Sequence, residues 1–77
     1  MITSRQIQAA RALLGWSQQH LADKAVISVA ALSHVEKGTV DPRVSTLAAI
    51  EKALTKAGIE FQPASGGKGE GVRFSKG

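Results

Sequence analysis

Few side chains in this sequence have the types and spacing that covalent or metal chemistry requires. Cysteine is absent, and the two histidines, His20 and His34, fall on different predicted helices, so no metal-ligand cluster is expected. The run Gly66-Gly67-Lys68-Gly69 looks like a phosphate-binding loop, but neither the Ser or Thr nor the helix that completes such a loop follows it. We therefore expect no enzyme activity, no metal site and no cofactor.

The charge of the chain favours a polyanionic partner. Ten Lys and Arg residues against six Asp and Glu residues give a net charge of +4 at pH 7. A protein with such a charge binds nucleic acid more tightly because it releases counterions from the phosphates. Many small domains carry a similar charge by chance, so the charge alone does not establish nucleic-acid binding. No apolar run approaches the roughly 18–20 residues that cross a bilayer, and we expect a cytoplasmic protein that meets no membrane.

The spacing of apolar residues and the positions of capping residues predict four helices before residue 58. A Ser or Thr hydroxyl can accept a hydrogen bond from an open N–H group of the first turn, and Thr3 and Gln6 have the spacing of a capping box. The predicted helices run over about 4–14 (capped by Thr3), 18–24 (capped by Ser17), 29–37 (capped by Ser28) and from a Ser45 cap to Gly58.

After residue 58 the pattern changes from helical to alternating. Apolar and polar residues alternate over 59–62 and 72–75, which is typical of half-buried strands. We expect a short β-hairpin within the chain or two strands that pair across a dimer. A disordered glycine-rich tail is the alternative, because two strands alone are marginally stable in water. The sequence thus divides into a helical domain over 1–58 and a strand and glycine-rich extension over 59–77.

The segment from residue 15 to residue 38 has the pattern of two short helices joined by a tight turn. Ala22 is small where the helices would cross, and Ile27 is an apolar residue in the turn. Leu32 and Val35 would hold the second of these helices against the body of the domain. Because residues three and four apart are neighbours on a helix, this packing leaves residues 29, 30, 33, 34 and 37 on one outward face.

In this region the chain resembles the Cro and phage-repressor family of helix-turn-helix proteins, also called the XRE family. The matching residues are Ser17-Gln18, Leu21-Ala22, Ser28, Leu32-Ser33, Val35-Glu36-Lys37-Gly38, and Pro42 with Thr46-Leu47 and Ile50, within about residues 4–57. The resemblance implies a mainly α, compact four-helix repressor-like DNA-binding domain. It also implies a nucleoid-associated transcriptional regulator, expected to be a repressor. Such a protein binds double-stranded DNA sequence-selectively as a homodimer, with its third helix in the major groove.

The resemblance also assigns roles to individual side chains. Base contacts are expected from Val29, Ala30, Ser33 and His34, and phosphate contacts from Gln18, Ser28, Lys37 and Arg43. The dipole at the N-terminus of the second helix would aid the Gln18 contact. The alternative for Gln18, Lys37 and Arg43 is an ordinary solvated side chain.

Arg11 and Glu36 occupy the two positions at which family members carry an ion pair between the first and third helices. Such a pair would fix the angle at which the third helix is presented, and removing one partner of a buried pair costs about 3–5 kcal/mol. A direct DNA contact is the less favoured interpretation of these two residues.

Two features depart from the family pattern. Val29, Ala30 and Ala31 cannot make the bidentate base contacts that each supply about 1–3 kcal/mol of discrimination. We therefore expect modest sequence specificity, with more reliance on phosphate contacts and DNA shape. Val26 stands in the turn where the family often has glycine, and positive φ is costly for a β-branched residue. We expect the turn to adopt a variant geometry.

A protein-interaction role is the alternative function. The weak recognition face would suit an antitoxin or partner-binding module whose C-terminal strands dock a cognate protein by strand addition. Antitoxins of this fold often also bind DNA, so the two hypotheses overlap.

Overall fold

The computed structural model describes residues 2–39 and 41–76. Four helices come first and a two-stranded antiparallel sheet follows, in the order α1 (Ser4–Leu14), α2 (Gln18–Ala25), α3 (Val29–Lys37), α4 (Val44–Lys56), β1 (Ile59–Gln62) and β2 (Gly71–Phe74). The predicted mainly α fold with a short C-terminal hairpin is confirmed. The strands pair within the chain, with Ile59 opposite Phe74, so the alternative of a structureless tail is wrong for the described residues.

The caps predicted for the first three helices are confirmed by hydrogen bonds. The hydroxyls of Ser17 and Ser28 each accept a bond from the backbone N–H three residues later, at 3.1 and 3.0 Å. Thr3 and Gln6 form both halves of the capping box, with the Thr3 hydroxyl accepting at 3.2 Å and the Gln6 amide oxygen accepting at 2.9 Å. Local chemistry therefore starts α1, α2 and α3.

The fourth helix begins earlier than predicted. Its N-cap is the extended residue Arg43 and not Ser45, and no side chain caps it. The Leu47 N–H already donates to the Arg43 carbonyl at 3.1 Å, so Ser45 lies inside the first turn. A capping hydroxyl is common at a helix start but is not required, because another group or water can satisfy the open N–H groups.

The turn between α2 and α3 keeps a left-handed residue, so the expected variant geometry is wrong. Val26 has φ 57° and ψ 49°, and it is the one non-glycine residue with positive φ in the described parts of the chain. The Ile27 N–H donates to the Ala22 carbonyl at 3.0 Å, as in a common helix C-terminal motif, and Ile27 packs against the core. The Val26 side chain is 89% exposed. Packing of Ile27 thus overrides the local preference of valine.

The core joins all four helices and the first strand. Its fully buried large side chains are Ile7, Leu21, Leu32, Ile50, Leu54 and Ile59. Two small residues of α1 and α2, Ala10 and Ala22, are also fully buried. Because Leu32 and Val35 are both in this core, one side of α3 is fixed by packing.

Gln6 ties the hairpin to α1. Its amide nitrogen donates to the carbonyl oxygens of Gln62 and Gly71, each at 3.0 Å, while its amide oxygen serves the capping box. The side chain is buried, and these bonds satisfy its polar atoms. Together with buried Ile59, Gln6 makes the packing continuous across residue 58, where the secondary structure changes from helix to strand.

Candidate nucleic-acid interface

Arg11 and Glu36 form a two-point ion pair between α1 and the last turn of α3. Arg11 Nε lies 2.8 Å from Glu36 Oε2, and Arg11 Nη2 lies 2.9 Å from Glu36 Oε1. A third nitrogen, Arg11 Nη1, donates to the Trp16 carbonyl at 3.0 Å. The hydrogen bond to Glu36 raises the pKa of Arg11 above its usual value against an opposing effect of burial. The guanidinium therefore joins α3 to α1 and to the loop before α2.

Two glutamines complete the surroundings of Glu36. Gln18, the first residue of α2, donates from Nε2 to Glu36 Oε1 at 3.1 Å. Gln8 of α1 donates from Nε2 to the Glu36 backbone carbonyl at 2.7 Å. We define the Glu36 network as Gln8, Arg11, Gln18 and Glu36. It holds three helices through one carboxylate and one carbonyl, and it fixes the angle between α3 and its neighbours.

Sequence reasoning missed Gln8. Gln8 lies three residues before Arg11 and therefore on the same face of α1, and this spacing is the signal that could have predicted a contact of Gln8 with α3. The expectation for Gln18 concerned a phosphate, whereas one of its amide N–H groups is committed to Glu36. Gln18 is half-buried, and its backbone lies at the N-terminus of α2.

The outward side of α3 carries few hydrogen-bonding groups. Ala30 and His34 are exposed, whereas Ser33 is half-buried. Val29 is also half-buried and packs against the core, because it lies one turn before Leu32 on the inward side. Part of the valine surface is thus taken by the protein itself, and Ala30, Ser33 and His34 provide most of the open face.

Three of the four expected phosphate-contact residues are exposed at the ends of α3 and at the start of α4. The Ser28 hydroxyl is exposed but already accepts the Ala31 N–H. Lys37 ends α3 and Arg43 caps α4, and both are exposed. Within residues 2–39 and 41–76 the salt bridges are Arg11–Glu36 and Arg73–Glu60, so no carboxylate neutralises Lys37 or Arg43. Two cationic groups therefore remain available at the two ends of the segment between α3 and α4.

The N-terminus of α4 adds uncompensated backbone N–H groups beside Arg43. No side chain caps this helix, and its first turn carries no acidic residue. Partial positive charge collects at such a terminus. The N-terminus of α4 therefore favours an anion next to Arg43, the residue that precedes the helix.

No group of three His, Asp or Glu side chains in the described parts of the chain is arranged to hold a metal ion. None of the described helices is long and apolar enough to span a membrane.

Comparison with known proteins identifies the family. The model of the family HTH_3, described as a helix-turn-helix, matches residues 7–60 of the 77-residue chain. A search of curated proteins finds no significant match. The matched span runs from the middle of α1 through α4 into β1 and contains the whole Glu36 network. HTH_3 is a family of DNA-binding regulators and not of enzymes. The chain therefore belongs to the Cro/C1-type (XRE) helix-turn-helix family and is a DNA-binding protein of the transcription-regulator kind.

Proposed function

We propose that this protein is a sequence-selective transcriptional repressor that inserts α3 into the major groove of double-stranded DNA. One observation carries the proposal: the Glu36 network and the core hold α3 from one side, while Ala30 and His34 on its other side are exposed. A rigid helix with one open face is what groove insertion requires. Binding DNA would place the protein at the nucleoid in the cytoplasm.

The base-reading residues of this proposal are Ala30, Ser33 and His34, with a smaller share from Val29. Ser33 and His34 supply the hydrogen bonds of this face, and the Ala30 methyl group can contact a thymine methyl. None of these side chains makes the bidentate contacts that arginine or glutamine makes with a base. The protein should therefore discriminate modestly and favour A·T-rich steps.

Phosphate contacts supply the larger part of the affinity. Lys37 and Arg43 are exposed cations without carboxylate partners in the described residues, and Arg43 is supported by the open N-terminus of α4. Gln18 and Ser28 contribute through their positions at the N-termini of α2 and α3. Each phosphate neutralised by a cation steepens the dependence of log affinity on log salt by about 0.9.

A homodimer is the second part of the proposal. A two-stranded sheet leaves an unpaired edge on each side, and unpaired edges recruit further strands. Phe74 of β2 is 44% exposed, which adds apolar surface beside such an edge. Two copies that join their hairpins would cover both features and present two α3 helices to a two-fold operator.

An unbiased binding-site selection with the full-length chain tests the proposal. We expect an A·T-rich, loosely defined motif, and gel shifts on it that weaken steeply as salt rises. The double variant Ser33→Ala/His34→Ala should blur the motif further while still binding DNA. A sharp G-rich consensus, or no DNA binding at low salt, would contradict the proposal.

A partner-docking module remains the second candidate function. The hairpin edges and exposed Phe74 suit a protein that adds a strand, and the sparse face of α3 weakens the case for DNA readout alone. Copurification of a stoichiometric second protein that is lost in a Phe74→Lys variant would favour this candidate.

A further inference from the structure

The surface between α2 and α4 contains a cleft that DNA binding by α3 does not use. It has a volume of about 340 Å³ and is lined by Trp16, Lys24, Ala53, Lys56 and Ala57. Ligand sites for small molecules begin at about 300 Å³. Two of the lining residues are small: Ala53 lies in the last turn of α4, and Ala57 caps the end of that helix.

The lining of this cleft combines one aromatic side chain, two alanines and two lysines. The Trp16 indole packs against the core and stacks on His20, with ring centroids 4.5 Å apart. Lys24 and Lys56 stand in the last turns of α2 and α4, where each offsets the partial negative charge of its helix end. No carboxylate of the described residues pairs with either lysine, so both ammonium groups can meet an anion.

We propose that this cleft is a binding site for a small aromatic carboxylate. The ring would lie against Trp16 and the two alanines, and the carboxylate would lie between the two ammonium groups. A planar ring offers the indole a stacking or edge contact, and a carboxylate complements the charge of the two lysines that line the cleft. The cleft is large enough for a ligand of one or two rings and too small for a peptide helix.

The position of the cleft gives such a ligand a route to α3, and this part of the inference rests on the proposed function. The Trp16 carbonyl accepts a hydrogen bond from Arg11, which in turn holds Glu36. A ligand that shifts Trp16 would therefore disturb the Glu36 network and the angle of α3. We expect bound ligand to weaken DNA binding about threefold or more.

Benzoate is the probe for the site itself, with no DNA present. Trp16 is the one tryptophan of the chain, so its indole N–H gives a single resonance in a ¹H–¹⁵N spectrum of the full chain. Benzoate at constant ionic strength should shift this resonance saturably, with a Kd on the order of 1 mM. Benzamide lacks the charge and acetate lacks the ring, and each should bind at least about fivefold more weakly. Equal shifts from benzoate and benzamide, or no saturable shift, would overturn the proposal.

Two variants separate this site from a general attraction to positive charge. Lys24→Gln/Lys56→Gln should weaken benzoate at least about fivefold, whereas Lys52→Gln/Lys68→Gln, with the same net charge change, should not. Ala53→Leu should fill the cleft and abolish the shift while the remaining spectrum keeps its dispersion. Equal losses in both double variants would overturn the proposal. So would binding of an acidic peptide at Lys24 and Lys56 without binding of benzoate, since that result indicates a protein-docking surface.

The route to α3 is tested by measuring DNA affinity with benzoate and with benzamide at equal ionic strength. Benzoate should weaken DNA binding in the natural chain and not in Ala53→Leu. If benzoate binds and leaves DNA affinity unchanged, the coupling through Trp16 is wrong and the ligand site stands. If the chain binds no DNA at all, the proposed function fails, and the spectroscopic titration still decides the ligand site.

Discussion

The inward and outward sides of α3 differ in how much chemistry they carry. Inward, Glu36 receives four hydrogen bonds from Gln8, Arg11 and Gln18, beside the buried side chains of Leu32 and Val35. Outward, the open surface consists mainly of Ala30, Ser33 and His34. The position of α3 is thus fixed by many bonds, whereas its open side carries few groups that could read a base. Under the proposed function, such a helix would be placed accurately in a groove and would distinguish poorly between base pairs.

Loss of the Glu36 carboxylate should have the largest effect. Glu36→Ala leaves Arg11 without its carboxylate, and we expect the free energy of unfolding to fall by about 3 kcal/mol, the lower end for a broken buried pair because Arg11 is partly exposed. Urea denaturation measures this change. The matched control is Glu60→Ala, which breaks the exposed Arg73–Glu60 pair and should cost less than about 1 kcal/mol. Equal losses would remove the distinction between the two pairs.

On the outward side, phosphate contacts should outweigh base contacts. Lys37→Gln/Arg43→Gln should weaken binding to every duplex about tenfold or more at low salt and reduce the salt slope by about 2, one for each cation. Gel shifts across a salt series measure both quantities. Lys52→Gln/Lys68→Gln changes the net charge equally at residues away from this face. An equal effect of that control would show that net charge alone drives binding.

Removing the hydrogen-bonding groups of the outward face should cost less. We expect Ser33→Ala/His34→Ala to weaken binding to the selected site by about three- to tenfold, because neither residue makes a bidentate contact. Binding to a scrambled duplex should hardly change. The free energy of unfolding should change as little as it does for a typical surface substitution. A loss of a thousandfold on the selected site would mean that this face reads DNA far better than its composition suggests.

Dimerisation through the hairpins predicts a weaker dimer when an edge is charged. Phe74→Lys replaces exposed apolar surface with a charge that protects strand edges, and the dimer should dissociate at about tenfold higher concentration. Sedimentation of the full chain measures this shift. Val44→Lys, at another exposed apolar residue, serves as the control. Unchanged association in Phe74→Lys would contradict pairing at the hairpin edges.

The turn before α3 gives the smallest effect, and its sign is the test. Val26→Gly should raise the free energy of unfolding by about 0.5–1 kcal/mol, because glycine relieves left-handed strain of about 1–2 kcal/mol but loses more backbone entropy. Val44→Gly is the matched control, since Val44 is exposed within the first turn of α4, and it should lower stability by a similar amount. Destabilisation by Val26→Gly would show that valine suits this turn.

Sequence patterns predicted the parts of this fold that depend on near neighbours. The caps at Thr3, Ser17 and Ser28 and the bounds of α3 follow from groups within four residues of one another. The positions of Arg11 and Glu36 came from the family resemblance. The start of α4 was predicted wrongly because a hydroxyl is only one way to begin a helix.

The features that the sequence did not predict depend on contacts between distant parts of the chain. Gln6 bonds to Gly71 across 65 positions, and no local pattern indicates that a capping-box residue also anchors a hairpin. Val26 adopts a left-handed backbone because Ile27 must reach the core, a demand of tertiary packing. The cleft beside Trp16 likewise depends on which residues of α2 and α4 face each other across the core.

The affinity ratio between the best selected duplex and a scrambled duplex of equal composition tests the contrast between the two sides of α3 most directly. Measured with the full chain at one fixed salt concentration, the ratio should be about 10³ or lower, the bottom of the range for specific DNA-binding proteins. A ratio of about 10⁵ or higher that collapses in Ser33→Ala/His34→Ala would contradict it, because the outward side would then carry most of the readout.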